Sequence, residues 1–239
     1  MMEILQEYWR AYLYSDGAKM TGLAMTLWLL VLSLLIGFLA AVPLAVARVS
    51  THRALSMPVR LYTYLFRGTP LYVQLLLIYS GVYGLSLVRE VDVLNHFFRN
   101  GFNCAVLAFG LNTCAYTTEI FAGAIASTPY GEVEAGKAYG MSRWTLYLRV
   151  ILPSALRRAL PNYGNEVILM LHATSVAFVA TVPDLLKVAR DANAATYRSF
   201  EAFGLAAVLY LAVSLAIVHL FRKAEHKWLA FLRPAAKQP

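Results

Sequence analysis

Charge is scarce in this chain: Asp, Glu, Lys and Arg make up 14% of its 239 residues against 59% hydrophobic ones, and the mean hydropathy is +0.57. A soluble domain needs far more polar surface than that, which excludes a water-soluble globule and places the chain in a bilayer. Cysteine is limited to Cys104 and Cys114. Ten residues apart in one expected helix, they stand about 15 Å apart along its axis, too far for a disulfide, and read as core residues. Of the five histidines, at 52, 96, 172, 219 and 226, no two are three or four apart, so a helical histidine-pair metal site is not written. A Gly-rich phosphate loop and a nucleophile elbow are also missing. The chain is therefore expected to be no enzyme and to bind no metal or cofactor of its own.

What is present is a set of long apolar runs. Residues 20–47, 68–88 and 202–221 contain no Asp, Glu, Lys or Arg; 100–126 is interrupted only by Glu119, and 167–183 is free of them, extending backwards through Glu166. A helix needs roughly 20 apolar residues to span the hydrocarbon. The expectation is an all-α integral membrane protein with five transmembrane helices in a single domain over 1–239. Of the 21 Lys and Arg residues, the 48–67 connection, the 127–160 connection and the tail after 221 hold fourteen, and the opposite side seven. The excess predicts an outside N-terminus and a cytoplasmic C-terminus. It also accounts for the net charge of +8 as topology, so no nucleic-acid partner is expected. The first nineteen residues are polar and mixed in charge, unlike the opening of a cleavable signal peptide.

Five helices are few to enclose a solute pathway, and polar groups inside the apolar spans must face something other than lipid. Partner subunits are expected for that reason. The 127–160 connection carries "EAGKAYGMSRWTLYLRVILP" over 134–153. Thr128-Pro129-Tyr130-Gly131 breaks the preceding helix, Glu132 and Glu134 open a new one near its positive end, Gly140 permits a sharp turn or a close approach, and Pro153 stops the apolar surface that follows. Spacing alone leaves two readings open: an amphipathic helix lying on the bilayer, or a handle presented into the cytoplasm.

The order Glu134-Ala135-Gly136, three residues, Gly140, nine residues, Val150, one residue, Leu152-Pro153 resembles the signature of ATP-binding-cassette importer permeases, with Gly136 and Val150 as departures. "FRGTPLYVQLLLIY" (66–79), "NTCAYTTEIFAGAI" (112–125) and "LPNYGNEVILMLHATS" (160–175) extend the resemblance to the polar amino-acid branch over essentially the whole chain. The resemblance implies a type I importer permease fold in a bacterial inner membrane and uptake of basic amino acids such as histidine, arginine, lysine and ornithine. It implies a heterodimer with a similar Q-type permease, two cytoplasmic ATPase subunits that bind ATP-Mg, and a periplasmic amino-acid-binding protein. It assigns the helix over about 132–144 to ATPase coupling, through Glu134, Ala135, Gly136, Gly140, Leu152 and Pro153.

Two carboxylates carry further expectations. Glu119 in mid-span costs about 2.5–3.5 kcal/mol on insertion scales, so it either bonds to Tyr116, Thr117 or Thr118 as a structural group or faces the substrate pathway as a ligand for a cationic solute. Glu166, two turns past Arg157 and Arg158, is expected in an interfacial salt bridge or gate contact. His172-Ala173-Thr174-Ser175 stands where related permeases often read Lys-Asp-Thr-Ser, so an acid is replaced by Ala173 while Thr174 and Ser175 keep hydroxyls for a solute carboxylate. A secondary transporter would show paired repeats and broken helices, and a membrane enzyme clustered catalytic groups; neither pattern is present. A non-transporting scaffold would leave Glu119 as an unrewarded cost.

Overall fold

The computed structural model describes the backbone of residues 2–229 and the side chains of residues 6–229; Arg233 and Lys237 of the basic tail lie outside the described residues. The described chain is all helix apart from turns and two isolated bridges, Ser15 to Met20 and Gly22 to Asp184. Helix α1 (Met2–Leu13) precedes a tight loop, in which the Asp16 carboxylate accepts from the backbone N–H of Lys19 at 2.8 Å and of Ala18 at 2.9 Å. Those bonds hold its pKa below the usual carboxylate range. Helix α1 docks on the rest of the fold, which its polar, mixed-charge composition does not announce: Tyr12 is 1% exposed and donates to the Ala202 carbonyl 190 residues away.

Two helices, α2 (Gly22–Arg48) and the helix over Ser199–Trp228, are long and apolar enough to cross a bilayer by themselves. The expected 48–67 loop is instead helix α3 (Arg53–Gly68), with Ser56, Val59 and Thr63 buried. Its arginines mask it from hydropathy. Arg53, Arg60 and Arg67 recur every seven residues, two helical turns, and so share one stripe. Thr69-Pro70 breaks the helix, and α4 (Leu71–Leu76) with a π-helical turn over Leu77–Val82 continues it. Short helices α5 (Ser86–Glu90) and α6 (Asp92–Phe98) lead to α7 (Gly101–Ala126).

Helix α7 is the centre of the molecule, pairing most extensively with α2 and also with α3, α4 and the later helix α10. In hydrocarbon, apolar side chains gain little by meeting one another, so small residues that let backbones approach decide the pairing. At Gly37 of α2, a Cβ would stand 3.2 Å from the Cys114 amide nitrogen and collide with the Thr113 methyl. Any larger residue would push α2 off α7.

The handle is α8 (Tyr130–Ala138), shorter than the 132–144 expected. Gly140 ends it in the left-handed region at φ +73°, and Ser142, whose hydroxyl accepts from the Thr145 N–H at 3.2 Å, caps the next helix. That helix does not stop at Pro153. It runs α9 (Arg143–Leu146), a π-helical turn (Tyr147–Ile151) and α10 (Leu152–Ala173), with Pro153 just after the π-helical turn, an interruption of the regular ladder of the kind that goes with a proline inside a helix. A 3₁₀ stretch (Thr174–Ala180), α11 (Leu185–Thr196), whose amides at Leu186 and Lys187 are capped by the Asp184 carboxylate, and α12 (Ser199–Trp228) complete the fold.

Candidate functional site: a polar interior and a helical handle

Glu119 lies on α7 where α2 and α3 converge. Its Oε1 accepts from Arg48 Nε at 2.8 Å and from Thr63 Oγ1 at 2.6 Å, with both ion-pair side chains partly exposed (26% and 19%). The neighbours expected to hold it do not. Tyr116 donates to the Arg67 carbonyl at 3.4 Å, Thr118 meets Cys114 at 4.0 Å, and the buried Thr117 hydroxyl has no hydrogen-bond partner among the described residues. Thr117 and Thr118 point about 200° and 100° away from Glu119 around the helix, and Tyr116, one turn before it, bonds to the Arg67 carbonyl instead. Glu119, Arg48, Thr63, Arg60 and Arg67 line a cavity of about 690 Å³.

Arg67 and Gly68 also line a second cavity, of about 420 Å³, with Thr69, Asn112, Tyr116, Glu166 and Ala173. The break at Thr69-Pro70 exposes backbone carbonyls, and side chains satisfy them: Gln74 Nε2 donates to the carbonyls of Phe66 at 2.8 Å and Thr69 at 3.0 Å, and Asn112 Nδ2 donates to Gln74 Oε1 at 3.0 Å. The Arg67 guanidinium sits 5.2 Å from the centre of the Tyr116 ring. Glu166 is 5% exposed, and its Oε1 accepts from Thr113 Oγ1 at 3.0 Å; no ion pair to it occurs among the described residues, and its contact joins α10 to α7. The sequence located both carboxylates but missed Arg48, Arg67 and Asn112. Charge counting places these arginines in a connection between spans, and no spacing rule links them to residues 50 to 100 positions later.

Thr174 is buried and Ser175 is partly exposed. Their hydroxyls donate to the backbone carbonyls of Leu171 at 2.6 Å and His172 at 2.7 Å, so neither proton is free for a solute. Ala173, by contrast, faces the second cavity.

On the handle, Glu134, Ala135, Lys137, Tyr139 and Gly140 are exposed while Gly136 is buried. A Cβ at Gly136 would collide with Cδ1 of Leu146, so glycine lets α8 lie close on the following helix. Glu132 ties the two together. It accepts from Ser154 Oγ at 2.7 Å and lies 3.7 Å from Arg158 Nη1, while Arg158 Nη2 donates to Thr128 Oγ1 at 2.9 Å. Leu152 and Pro153 stand at the root of α10, where Leu152 joins the apolar cluster around Ala155 and Ile151.

Residues 33–229 match the family described as binding-protein-dependent transport system inner membrane component. The histidine/lysine/arginine/ornithine transport system permease protein HisM of Escherichia coli K12 is 61% identical over 236 residues, covering 99% of both chains. The octopine transport system permease protein OccM of Rhizobium radiobacter is 40% identical over 87% of this chain and 84% of its own. Among solved structures, an amino acid ABC transporter crystallised with histidines superposes with a TM-score of 0.75 at 32% identity, over 86% of this chain and 92% of that one.

Proposed function

Since this chain belongs to the family of binding-protein-dependent transport system inner membrane components, we propose that it is the permease subunit of an ATP-driven importer for basic amino acids. The observation that carries this reading is its full-length likeness to HisM. Five crossings accommodate the helices: α2, the bent helix over 53–82, α7, the helix over 143–173, and α12. Arg48, Arg60 and Arg67 line cavities and no longer count as loop charges. Eleven basic residues then remain on the side of α8 and the C-terminus against seven opposite, which still supports a cytoplasmic C-terminus and an outside N-terminus.

In this reading α8 docks on an ATPase subunit that holds ATP-Mg. The exposed Glu134 and Ala135 meet that partner, Gly136 and Gly140 shape the helix and its exit, and the Glu132–Arg158 link carries its movement to α10 and the Leu152-Pro153 root. A second, similar permease completes the pathway, and a periplasmic binding protein delivers the solute. An amino acid presents a carboxylate and an ammonium group. Arg67 and Glu166 face one cavity with matching charges, and Glu119 adds a shared negative charge in the adjoining one. Thr174 and Ser175 follow Ala173 at the edge of this region, and Glu166 holds it shut between α7 and α10 when no solute is present.

The test is reconstitution of the chain with its partner permease, ATPase and binding protein, measuring arginine uptake and ATP hydrolysis. Uptake that requires all four components and ATP is expected. Gradient-driven uptake by this polypeptide alone, or undiminished uptake by an assembly lacking it, would overturn the reading.

A further inference from the structure

One large cavity takes no part in the polar interior. It measures about 900 Å³ between α10 and α12, and Phe38, Phe121, Leu156, Leu160, Tyr163 and Phe221 form its apolar wall. The rings brace one another: Phe38 stands 5.4 Å from Phe121 and 5.5 Å from Tyr163, and Tyr163 stands 6.2 Å from Phe221, centre to centre. Gly164 holds α12 close to α10 beside Phe221, since a Cβ there would lie 2.8 Å from Phe221 Cδ1. At the other end the lining changes character to Arg157, Lys227 and Trp228.

The two cations are the informative feature. Arg158, the next residue, has Glu132, Ser154 and Thr128 as partners. Arg157 and Lys227 are exposed and have no hydrogen-bond or ion-pair partner among the described residues. Trp228, 52% exposed, is the residue type that settles at headgroup depth. An aromatic slot with two unpaired cations and a tryptophan at one end complements a molecule with an apolar tail and an anionic head. We propose that this cavity is a binding site for an anionic glycerophospholipid, with one acyl chain along the aromatic wall and the phosphate between Arg157 and Lys227. The lipid then wedges α10 against α12 at the end of α10 that Arg158 ties to α8.

Native mass spectrometry of the transporter purified with its accompanying subunits tests the site, using phosphatidylglycerol and phosphatidylcholine of identical chains as probes. Wild type should retain phosphatidylglycerol preferentially, by roughly fivefold for each basic side chain near the headgroup. Arg157→Gln with Lys227→Gln should abolish that preference, while Arg222→Gln with Lys223→Gln, on the same helix but outside the cavity lining, should leave it intact. Leu160→Trp, which fills the slot, should reduce retention of both lipids with subunit stoichiometry unchanged. Equal retention of the two lipids by wild type, an equal loss from the Arg222/Lys223 control, or unaltered retention in Leu160→Trp because another subunit fills the slot would overturn the proposal.

Discussion

The Arg48–Glu119 junction and the Thr113–Glu166 junction place the same residue type in similarly apolar helices with opposite solutions. Glu119 meets a guanidinium and a hydroxyl from two other helices, so its charge is balanced inside the fold. Glu166 meets one hydroxyl, and the nearest cationic side chain lining its cavity is Arg67, which stacks on Tyr116. A carboxylate with its charge already matched holds helices together. One bonded only by a threonine keeps the capacity to accept from a cation that arrives later. Composition cannot separate the two cases, because the difference lies in which distant segment packs alongside.

Removing the guanidinium is the harshest way to break this comparison. Arg48→Met leaves Glu119 in mid-span with only Thr63, and loss of one partner of a half-buried pair costs roughly 1–3 kcal/mol, between the exposed and fully buried cases. The folded-to-unfolded ratio of the chain should fall by about thirtyfold at the middle of that range, read as a lower membrane level by quantitative immunoblot and as an earlier thermal melt. Arg48→Met combined with Glu119→Met should recover more than half of it. A double variant as depleted as the single one would show that Arg48 supports the fold by other contacts.

Glu166→Gln is expected to act next most strongly, and on transport rather than assembly. Glutamine keeps an acceptor oxygen for Thr113 and loses the charge, so the complex should form normally while arginine uptake drops about tenfold, the weight of one charge-assisted hydrogen bond. Unchanged uptake would remove Glu166 from the pathway.

Why the sequence showed some of this and hid the rest follows from the range of each interaction. Helix α7 and the later half of the 143–173 helix were legible because uncharged runs report a local property. So was the presence of the handle, since the break at Thr128-Pro129 and the Gly140 turn are decided within a few residues, although α8 begins at Tyr130 rather than Glu132. The expected helix over 132–144 ran past Gly140, whose φ of +73° makes the sharp turn and ends α8 at Ala138. Helix α3 stayed hidden because its arginines sit on one stripe, and a count of charges ignores direction. The partners of Glu119 were unreadable in principle, as Arg48 and Thr63 lie 71 and 56 residues away.

The handle supplies a milder contrast with these interior sites, since its geometry rests on backbone rather than charge. No atom lies within 4 Å of a Cβ added at Gly140, so Gly140→Ala tests the left-handed conformation alone. The strain amounts to about 1–2 kcal/mol. It should appear as fewer solute molecules moved per ATP hydrolysed, with insertion intact, and Gly140→Asn should be milder because asparagine tolerates this region. Glu134→Lys, on the exposed face, should lower the same ratio; normal coupling in both Gly140→Ala and Glu134→Lys would move the handle to another segment.

The smallest effect is expected at Glu119→Gln, which keeps the Thr63 bond and replaces the ion pair to Arg48 with a hydrogen bond from the charged guanidinium to a neutral amide oxygen. Because both charged side chains are partly exposed, the pair is worth on the order of an accessible salt bridge, and assembly should change by less than about 1 kcal/mol. Arg48 is then left with its charge unmatched in the cavity that Arg60 and Arg67 also line, so a cationic solute meets a more positive path. Arginine and lysine uptake should fall by about two- to threefold, with basal ATP hydrolysis unchanged and neutral solutes unaffected. The ratio to Glu166→Gln is the sharper measurement. If Glu119→Gln reduces uptake as much as Glu166→Gln does, Glu119 contacts the solute despite its partner, and the two junctions exchange roles.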